Sequence, residues 1–368
     1  MERELHRWLQ SIPTSFGASS SANPRDFSRD FPHNYPNDLN WELDLGIGDD
    51  AAVINLLQRH PKKAEPAQST RRTILGSMVL TTDTIAEGTH FDLQKDPLDL
   101  VGRKSLAINL SDIAAMGATP IAALLTLVIP TRMSLSDVKR LVTGCLELAR
   151  EYRIDLIGGD TNVWSGDLIV GMTVVGTLPP PINSQGSQAW RISGAEVGDQ
   201  IFVSGRFGGS ILGHHLTFRP RIELARYLQA NYPIKAATDI SDSLSLDLHL
   251  MAQASQHESG TREPPSIGVE IDPASVPIAP SAQQLSERSG KSPLHHALTD
   301  GEDFELAIAV DPQVAELLAA DIELKKMLQS SDDARGMFTR IGQFIDQPGF
   351  FLIQQQQRKE FPVQGYSH

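Results

Sequence analysis

A two-domain protein of the α/β and α+β classes is predicted from three observations. The chain has 368 residues, enough for two domains of ordinary size. Hydrophobic residues make up 40% and charged residues 21%, the proportions of a soluble globular protein rather than a disordered or fibrous one. Strand-like and helix-like segments are interspersed in both halves, which points to sheets covered by helices.

Residues 11–40 are rich in Ser, Pro, Asn and Asp and read as loop. Residues 51–56 and 74–82 are strand-like and bracket a polar run, 59–72, with the composition of a hairpin loop. Helical character follows at 97–116, then a strand at 122–128, a helix at 134–152, a short strand at 155–157 and a longer one at 168–178. The stretch PPPINSQGSQ, residues 179–188, has the makeup of a linker, so the domains are placed at 1–180 and 190–368. The second half reads as a strand at 199–204, helices at 221–230 and 242–254, a strand at 305–310, a last helix at 312–329 and a terminal region at 341–353. No internal period relates the two halves.

Composition excludes several classes. The formal net charge is −13, which argues against nucleic acid as a partner, since such binding depends on Lys and Arg neutralising phosphates. A single cysteine, Cys145, allows no disulfide within the chain and suits a reducing cytoplasm. The opening MERELHRWLQ is charged and amphipathic, with no apolar core of a secretory leader. The most apolar region, 113–130, contains Gly117 and Pro120, and fits a buried helix, turn and strand better than a membrane span.

Five segments set Asp beside Gly, Ser or Thr: Gly46-Ile47-Gly48-Asp49-Asp50, Thr81-Thr82-Asp83, Asn109-Leu110-Ser111-Asp112, Gly158-Gly159-Asp160-Thr161 and Asp239-Ile240-Ser241-Asp242. Mg²⁺ needs hard oxygen ligands, usually one or two carboxylates plus water and substrate phosphate. Small neighbours let backbone and phosphate approach closely. Each segment alone also fits a helix cap or a turn: Asp239 to Asp242 could start the following helix, and Gly158 to Thr161 could join two strands. Asp112 is different, being the only charged residue between Ser105 and Thr131, with no Lys or Arg nearby in sequence. A carboxylate in such a setting needs a cation or strong hydrogen bonds, and a metal is a natural partner.

The stretch Ser204-Gly205-Arg206-Phe207-Gly208-Gly209-Ser210 follows a strand and reads either as a cradle for an anion or as a plain connector. It lacks the Gly-Lys-Ser/Thr ending of a Walker A loop, and the sequence holds no kinase catalytic loop, no HExxH and no Gly-x-Ser-x-Gly elbow. ATP chemistry, if present, runs on another scaffold.

Taken in order, GIGDDAAV (46–53), LTTDTIAEGTHF (80–91), KSLAINLSDIAAMGATP (104–120), LIGGDT (156–161), DISDSLSLDL (239–248) and GEDFEL (301–306) resemble the signature of the thiamine-monophosphate kinases. That family lies within the aminoimidazole ribonucleotide synthetase-like ATP-binding superfamily, and the resemblance covers residues 41–310. It implies an N-terminal α/β domain whose mixed sheet dimerises, followed by an α+β domain. It implies transfer of the γ-phosphoryl of ATP to thiamine monophosphate, giving thiamine diphosphate. Carried over by motif, Asp50, Thr81, Thr82, Asp83, Asp112, Asp160, Asp239 and Asp242 are implied Mg²⁺ ligands, with Asp112, Asp160 and Asp242 catalytic. Gly159, Asp160, Arg191 and Ser241 are implied ATP contacts, and His90, Glu302 and Tyr366 contacts to thiamine monophosphate. The implied partners are ATP, thiamine monophosphate and a second copy of the chain, with neither nucleic acid nor membrane.

The inventory suits that chemistry. A phosphate monoester, whose second pKa is about 6, is already a mostly anionic nucleophile, so no strong base is required. The obstacle is repulsion between two polyanions, about 4 kcal/mol per pair of unit charges 4 Å apart at an effective dielectric of 20. Several Mg²⁺ ions between the oxygens would remove it. The chain departs from the family pattern at Ser243 and Asp300, where glycine is usual, and in a short segment between Ser210 and Phe218. These departures keep two alternatives open: a nucleotide- or thiamine-phosphate-binding homologue with impaired catalysis, and a superfamily relative with another phosphorylated acceptor.

Overall fold

The computed structural model describes residues 39–45, 49–59, 72–179, 188–258, 266–330 and 337–365. Of the expected loops at 11–40, 59–72 and 179–188, residues 11–38, 60–71 and 180–187 lie outside the described residues, as does Tyr366, while residues 39, 40, 59 and 72 belong to strands. Two sheets carry the fold, one on each side of residues 180–187.

The first sheet is built from β1 (Leu39–Leu45), β2 (Ala52–Arg59), β3 (Arg72–Ala86), β4 (Thr119–Pro130), β5 (Asp155–Trp164) and β6 (Ile169–Thr177), in the order β1-β2-β3-β6-β4-β5. Neighbours are antiparallel except β4 and β5, which pair in parallel. That exception follows from the long crossover between them, since parallel strands cannot be joined by a tight turn. The crossover is α2 (Leu135–Glu151), started by a capping box between Ser134 and Asp137. It buries Leu141, Cys145, Leu148 and Ala149 at helical spacing.

The helix α1 (Leu98–Ala115) runs between β3 and β4 in sequence and is buried nearly all round, including Val101, Leu106, Ala107, Leu110, Ile113 and Ala114. It touches α2, β3 and β6 and two strands of the second sheet, Ala236–Ile240 and Glu305–Val310. Only glycine allows its seat on α2. A Cβ on Gly102 would stand 1.9 Å from the Leu141 carbonyl oxygen, and one on Gly144 1.8 Å from that of Asp99.

The second sheet contains β7 (Gln200–Ser204), β8 (Ala236–Ile240), β9 (Gly268–Ile271), β10 (Glu305–Val310), β11 (Phe338–Ile345), β12 (Phe350–Gln354) and β13 (Gln357–Glu360), in the order β13-β12-β9-β11-β7-β10-β8. Its helices are α3 (His214–Thr217), α4 (Ile222–Asn231), α5 (Leu244–Glu258), α6 (Pro280–Ser289), α7 (Pro293–Thr299), α8 (Pro312–Ala320) and α9 (Ile322–Ser330). Strand β10 is buried on both faces. Leu306, Ile308 and Val310 join the core around α1, while Ala307 and Ala309 join a second core with Leu244, Leu248 and Met251 of α5.

Three sequence expectations are corrected. The strand set at 155–157 continues to Trp164, so Gly158-Gly159-Asp160-Thr161 lies in a strand and not in a turn. The single helix at 312–329 is two helices, broken where Asp321 uses its carboxylate to accept the Leu324 N–H. The helix expected from residue 242 starts at Leu244, because Ser243 is its cap: its hydroxyl accepts the Leu246 N–H at 3.0 Å. The apolar region 113–130 is the helix end, turn and strand expected. Among the described residues no helix is long and apolar enough to cross a membrane.

Candidate active site

Four elements bring aspartates together at the C-terminal end of α1. Alternation along β3 turns Thr81 and Asp83 toward α1, between the buried Val79 and Ile85. Ser111 and Asp112 stand on the last turns of α1, Asp239 near the end of β8, and Asp50 just before β2. The Thr81 hydroxyl donates to Asp112. Asp83 lies beside Asp112, and Ser111 beside Asp239. The Thr238 hydroxyl donates to Asp50 at 3.4 Å.

The charges in this cluster are not balanced. Burial pushes the Asp112 carboxyl well above its usual range, and Asp83, Asp239 and Asp50 push it further. Asp50 is raised by burial, then by Asp239, Asp49 and Asp247. Asp239 is pushed up to about 7 by burial, with Asp83 and Asp242 adding to the shift and the Ser111 hydrogen bond opposing it. Buried like charges behave this way when nothing positive lies among them.

Asp242 joins from the turn before α5. Asp247, which sequence reasoning left unassigned, accepts the N–H groups of Asp242 and Ser243, both at 3.1 Å. With Ser243 and Asp247 capping α5, the side chains of Asp239 and Asp242 are released from the capping role that their positions suggest. The sequence signal for Asp247 was present: it is the only charged residue in the first two turns of that helix.

The donor set fits a hard cation. Asp50 Oδ2 and Asp239 Oδ2 are buried with no hydrogen-bond partner among the described residues, a costly state that a bound cation relieves. Among the described residues no three His, Cys, Asp or Glu side chains close around one point as a preformed cage.

Other predicted residues fall into three places. Arg191 lies beside Asp44 at 3.9 Å, and its carbonyl accepts the Ala237 N–H at the start of β8, next to the cluster. Ser241 follows β8, and its carbonyl accepts the Glu302 N–H at 2.7 Å. Asp160, Gly159 and Thr82 lie away from the cluster. Asp160 pairs with Thr126, and Thr126 with Gly171, which pairs with Thr84. Asp160 therefore shares the sheet face of Thr84 and Thr82, opposite that of Asp83. It is also three strands from β3, about 14 Å across the sheet. Its carboxylate is exposed and accepts from Asn162. Gly159 has a packing reason to be glycine, since a Cβ there would meet the Leu125 carbonyl oxygen at 1.7 Å.

His90 and Glu302 meet at the other end of α1, through a residue that sequence reasoning did not single out. Lys104 is fully buried, and its ammonium donates to the His90 carbonyl at 3.0 Å and to Glu302 Oε1 at 2.5 Å. The His90 ring accepts the Ala86 N–H through Nδ1 at 3.0 Å, fixing the turn after β3. Glu302 and Phe304 both adopt left-handed backbone, with φ of 61° and 50°, and hydrogen bonds to Ser241 and Ile240 hold them there.

The glycine-rich stretch is a cradle whose anions come from the chain itself. The Gly208 N–H donates to Asp303 at 3.0 Å and the Gly209 N–H to Asp300 at 2.8 Å. Asp300 also faces His296 Nδ1 at 3.1 Å. The aspartate that departs from the family pattern thus anchors this loop instead of adding a loose charge to a substrate pocket.

The AIR synthase related protein, N-terminal domain, family matches residues 48–178. A thiamine-monophosphate kinase of Rhodopirellula baltica is 37% identical over 329 residues, covering 89% of this chain and 92% of the relative. The crystal structure of thiamine-monophosphate kinase from Stenotrophomonas maltophilia superposes with a TM-score of 0.61 at 29% identity, covering 86% of this chain and 92% of that one. The fold is also that of AaThiL complexed with AMPPCP and TMP, with a TM-score of 0.65 at 24% identity, covering 88% and 91%. The chain belongs to the thiamine-monophosphate kinase family.

Proposed function

We propose that this protein phosphorylates thiamine monophosphate to thiamine diphosphate with ATP, by direct in-line transfer assisted by Mg²⁺. One observation carries the proposal: in a chain of this family, carboxylates from four elements converge with two buried oxygens left unpaired. Asp50, Thr81, Asp83, Asp112, Asp239 and Asp242 would hold the ions. Bound Mg²⁺ would neutralise the phosphates of both substrates and polarise the transferring group. The protein's part is positioning, because the acceptor phosphate is itself the nucleophile. Arg191 and Ser241 would meet the nucleotide beside the cluster. His90 and Glu302 would meet the acceptor at the far end of α1, and the motif implies Tyr366 as a further acceptor contact.

The open face of the first sheet supports a homodimer. Helices α1 and α2 cover one face only: Leu125 and Leu127 of β4 are buried there, while Leu124 is 38% exposed on the other. Ile121 and Ile157 stand out at strand irregularities with 45% and 63% exposure. A second copy seated on this face would cover apolar surface that water now wets. Thr82 and Asp160 stand on this open face, and Asp160 is too far across the sheet to serve its own chain's cluster. We assign Asp160 to the site of the second copy. The two-domain division near residue 180 and a reducing cytoplasmic setting, consistent with the buried thiol of Cys145, complete the proposal.

Purified protein with ATP, Mg²⁺ and thiamine monophosphate is expected to yield thiamine diphosphate and ADP. Folded protein giving no product would overturn the proposal. Running other phosphate monoesters in the same assay ranks acceptors and tests the alternative of a different acceptor.

A further inference from the structure

Lys104 is the only ammonium among the described residues that is completely buried, and it joins the two halves of the fold. It belongs to α1 of the first half. One contact, at 3.0 Å, goes to the His90 carbonyl in the turn after β3, and the other, at 2.5 Å, to Glu302 in the segment before β10. Burial pulls the Lys104 ammonium below its ordinary range, and Glu302 opposes that pull. A charge that costly to bury persists only when its partner is fixed and close.

The segment holding Glu302 is rigid on every side. Its backbone is left-handed at Glu302 and Phe304. The Ser210 hydroxyl grips the Gly301 carbonyl, and Asp303 takes the Gly208 N–H. Lys104 contacts the side chain of Glu302 through Oε1 alone, and among the described residues no hydrogen bond reaches Oε2. One carboxylate oxygen is thereby committed to the protein and the other is presented. The same ammonium holds His90 through its backbone carbonyl, and the His90 ring is fixed separately by the Ala86 N–H.

Building on the acceptor site proposed above, we infer that Lys104 is a positioning residue for acceptor recognition. It locks Glu302 and the His90 turn together, so that Glu302 Oε2 faces a hydrogen-bond donor or the cationic ring of the acceptor. Lys104 stands eight residues from Asp112, about 12 Å along α1, and its ammonium makes no hydrogen bond to the aspartate cluster.

The test compares wild type, Lys104→Met, Glu302→Gln and the double variant, with steady-state kinetics for both substrates, thermal unfolding, and calorimetric binding of thiamine monophosphate. Each single variant is expected to raise KM and Kd for the acceptor about tenfold or more, as loss of a buried charged hydrogen bond does, with KM for ATP within about twofold of wild type. The double variant, which buries no unpaired charge, is expected to fold and to lose little beyond either single change. Acceptor KM and Kd unchanged in Lys104→Met, or KM for both substrates rising together with a fall in Tm, would reduce Lys104 to a structural ion pair and overturn the inference. Wild type that neither binds nor phosphorylates thiamine monophosphate would instead overturn the acceptor assignment, and this inference with it.

Discussion

The two ends of α1 treat buried charge in opposite ways. At its C-terminal end, carboxylates from β3, α1, β8 and the start of β2 crowd together and push one another's pKa upward. Eight residues earlier, Lys104 and Glu302 bury one charge of each sign and satisfy each other at 2.5 Å. There the charge is balanced within the protein, and one Glu302 oxygen is left over for the proposed acceptor. At the aspartate end negative charge is uncompensated, and Asp50 Oδ2 and Asp239 Oδ2 have no hydrogen-bond partner among the described residues. The contrast separates a site balanced before any ligand binds from one suited to a cation.

The largest effects are expected where charge is uncompensated. Asp112→Ala and Asp242→Ala should each lower kcat about a thousandfold or more, since each removes a ligand that stabilises charge in the transition state. Both should remain folded, because they relieve repulsion in the apo protein. A variant with normal rates would remove its aspartate from the metal set. Next in size, Asp160→Ala should be inactive alone, but mixing it with inactive Asp112→Ala should restore a substantial fraction of wild-type activity. Mixed dimers would contain one site with both aspartates. No recovery after subunit exchange would place Asp160 in its own chain's site, or show that the open face does not dimerise.

Much of this site was legible in the sequence because the motifs are short and local. Asp112 stood out as a lone charge in an apolar run, and it sits in the cluster. What could not be read was pairing across distance. Lys104 lies within the quoted KSLAINLSD segment, yet its partner is 198 residues away. Asp160 looked equivalent to the other aspartates because sequence does not say which face of a sheet a residue takes; strand register decides that. The alternative reading of Gly158 to Thr161 as a turn fails because Gly159 serves a close strand approach, not a reversal. Asp300 and Ser243 looked like intrusions at a substrate end, and both are local structural devices, an anchor for a glycine-rich loop and a helix cap.

Smaller effects sharpen the contrast. Gly144→Ala should destabilise the protein by about 2 kcal/mol or more through overpacking at the α1–α2 crossing. Because α1 carries both ends, this change should raise KM for both substrates together, unlike a change at Lys104. A response limited to one substrate would show that the ends are not coupled through the helix. Ser243→Ala should cost about 1 kcal/mol as a lost cap, and Ser243→Gly, the usual family residue, only a few tenths. Neither should alter Mg²⁺ dependence; a change in it would place Ser243 in the metal site.

Thermal unfolding of wild type against Asp239→Asn between pH 5 and pH 8 measures whether the clustered carboxylates are uncompensated. A carboxyl raised in the folded state favours folding while protonated, and that contribution is fully present below its unfolded value near 3.8. It is lost as pH rises toward about 7, the folded value for Asp239. Without Mg²⁺, wild type should therefore lose stability relative to Asp239→Asn as pH rises across this window. Mg²⁺ with a non-hydrolysable ATP analogue should restore it, more at pH 8 than at pH 5, and restore less in the variant. Parallel stability curves for the two proteins, with equal responses to Mg²⁺, would contradict the central claim.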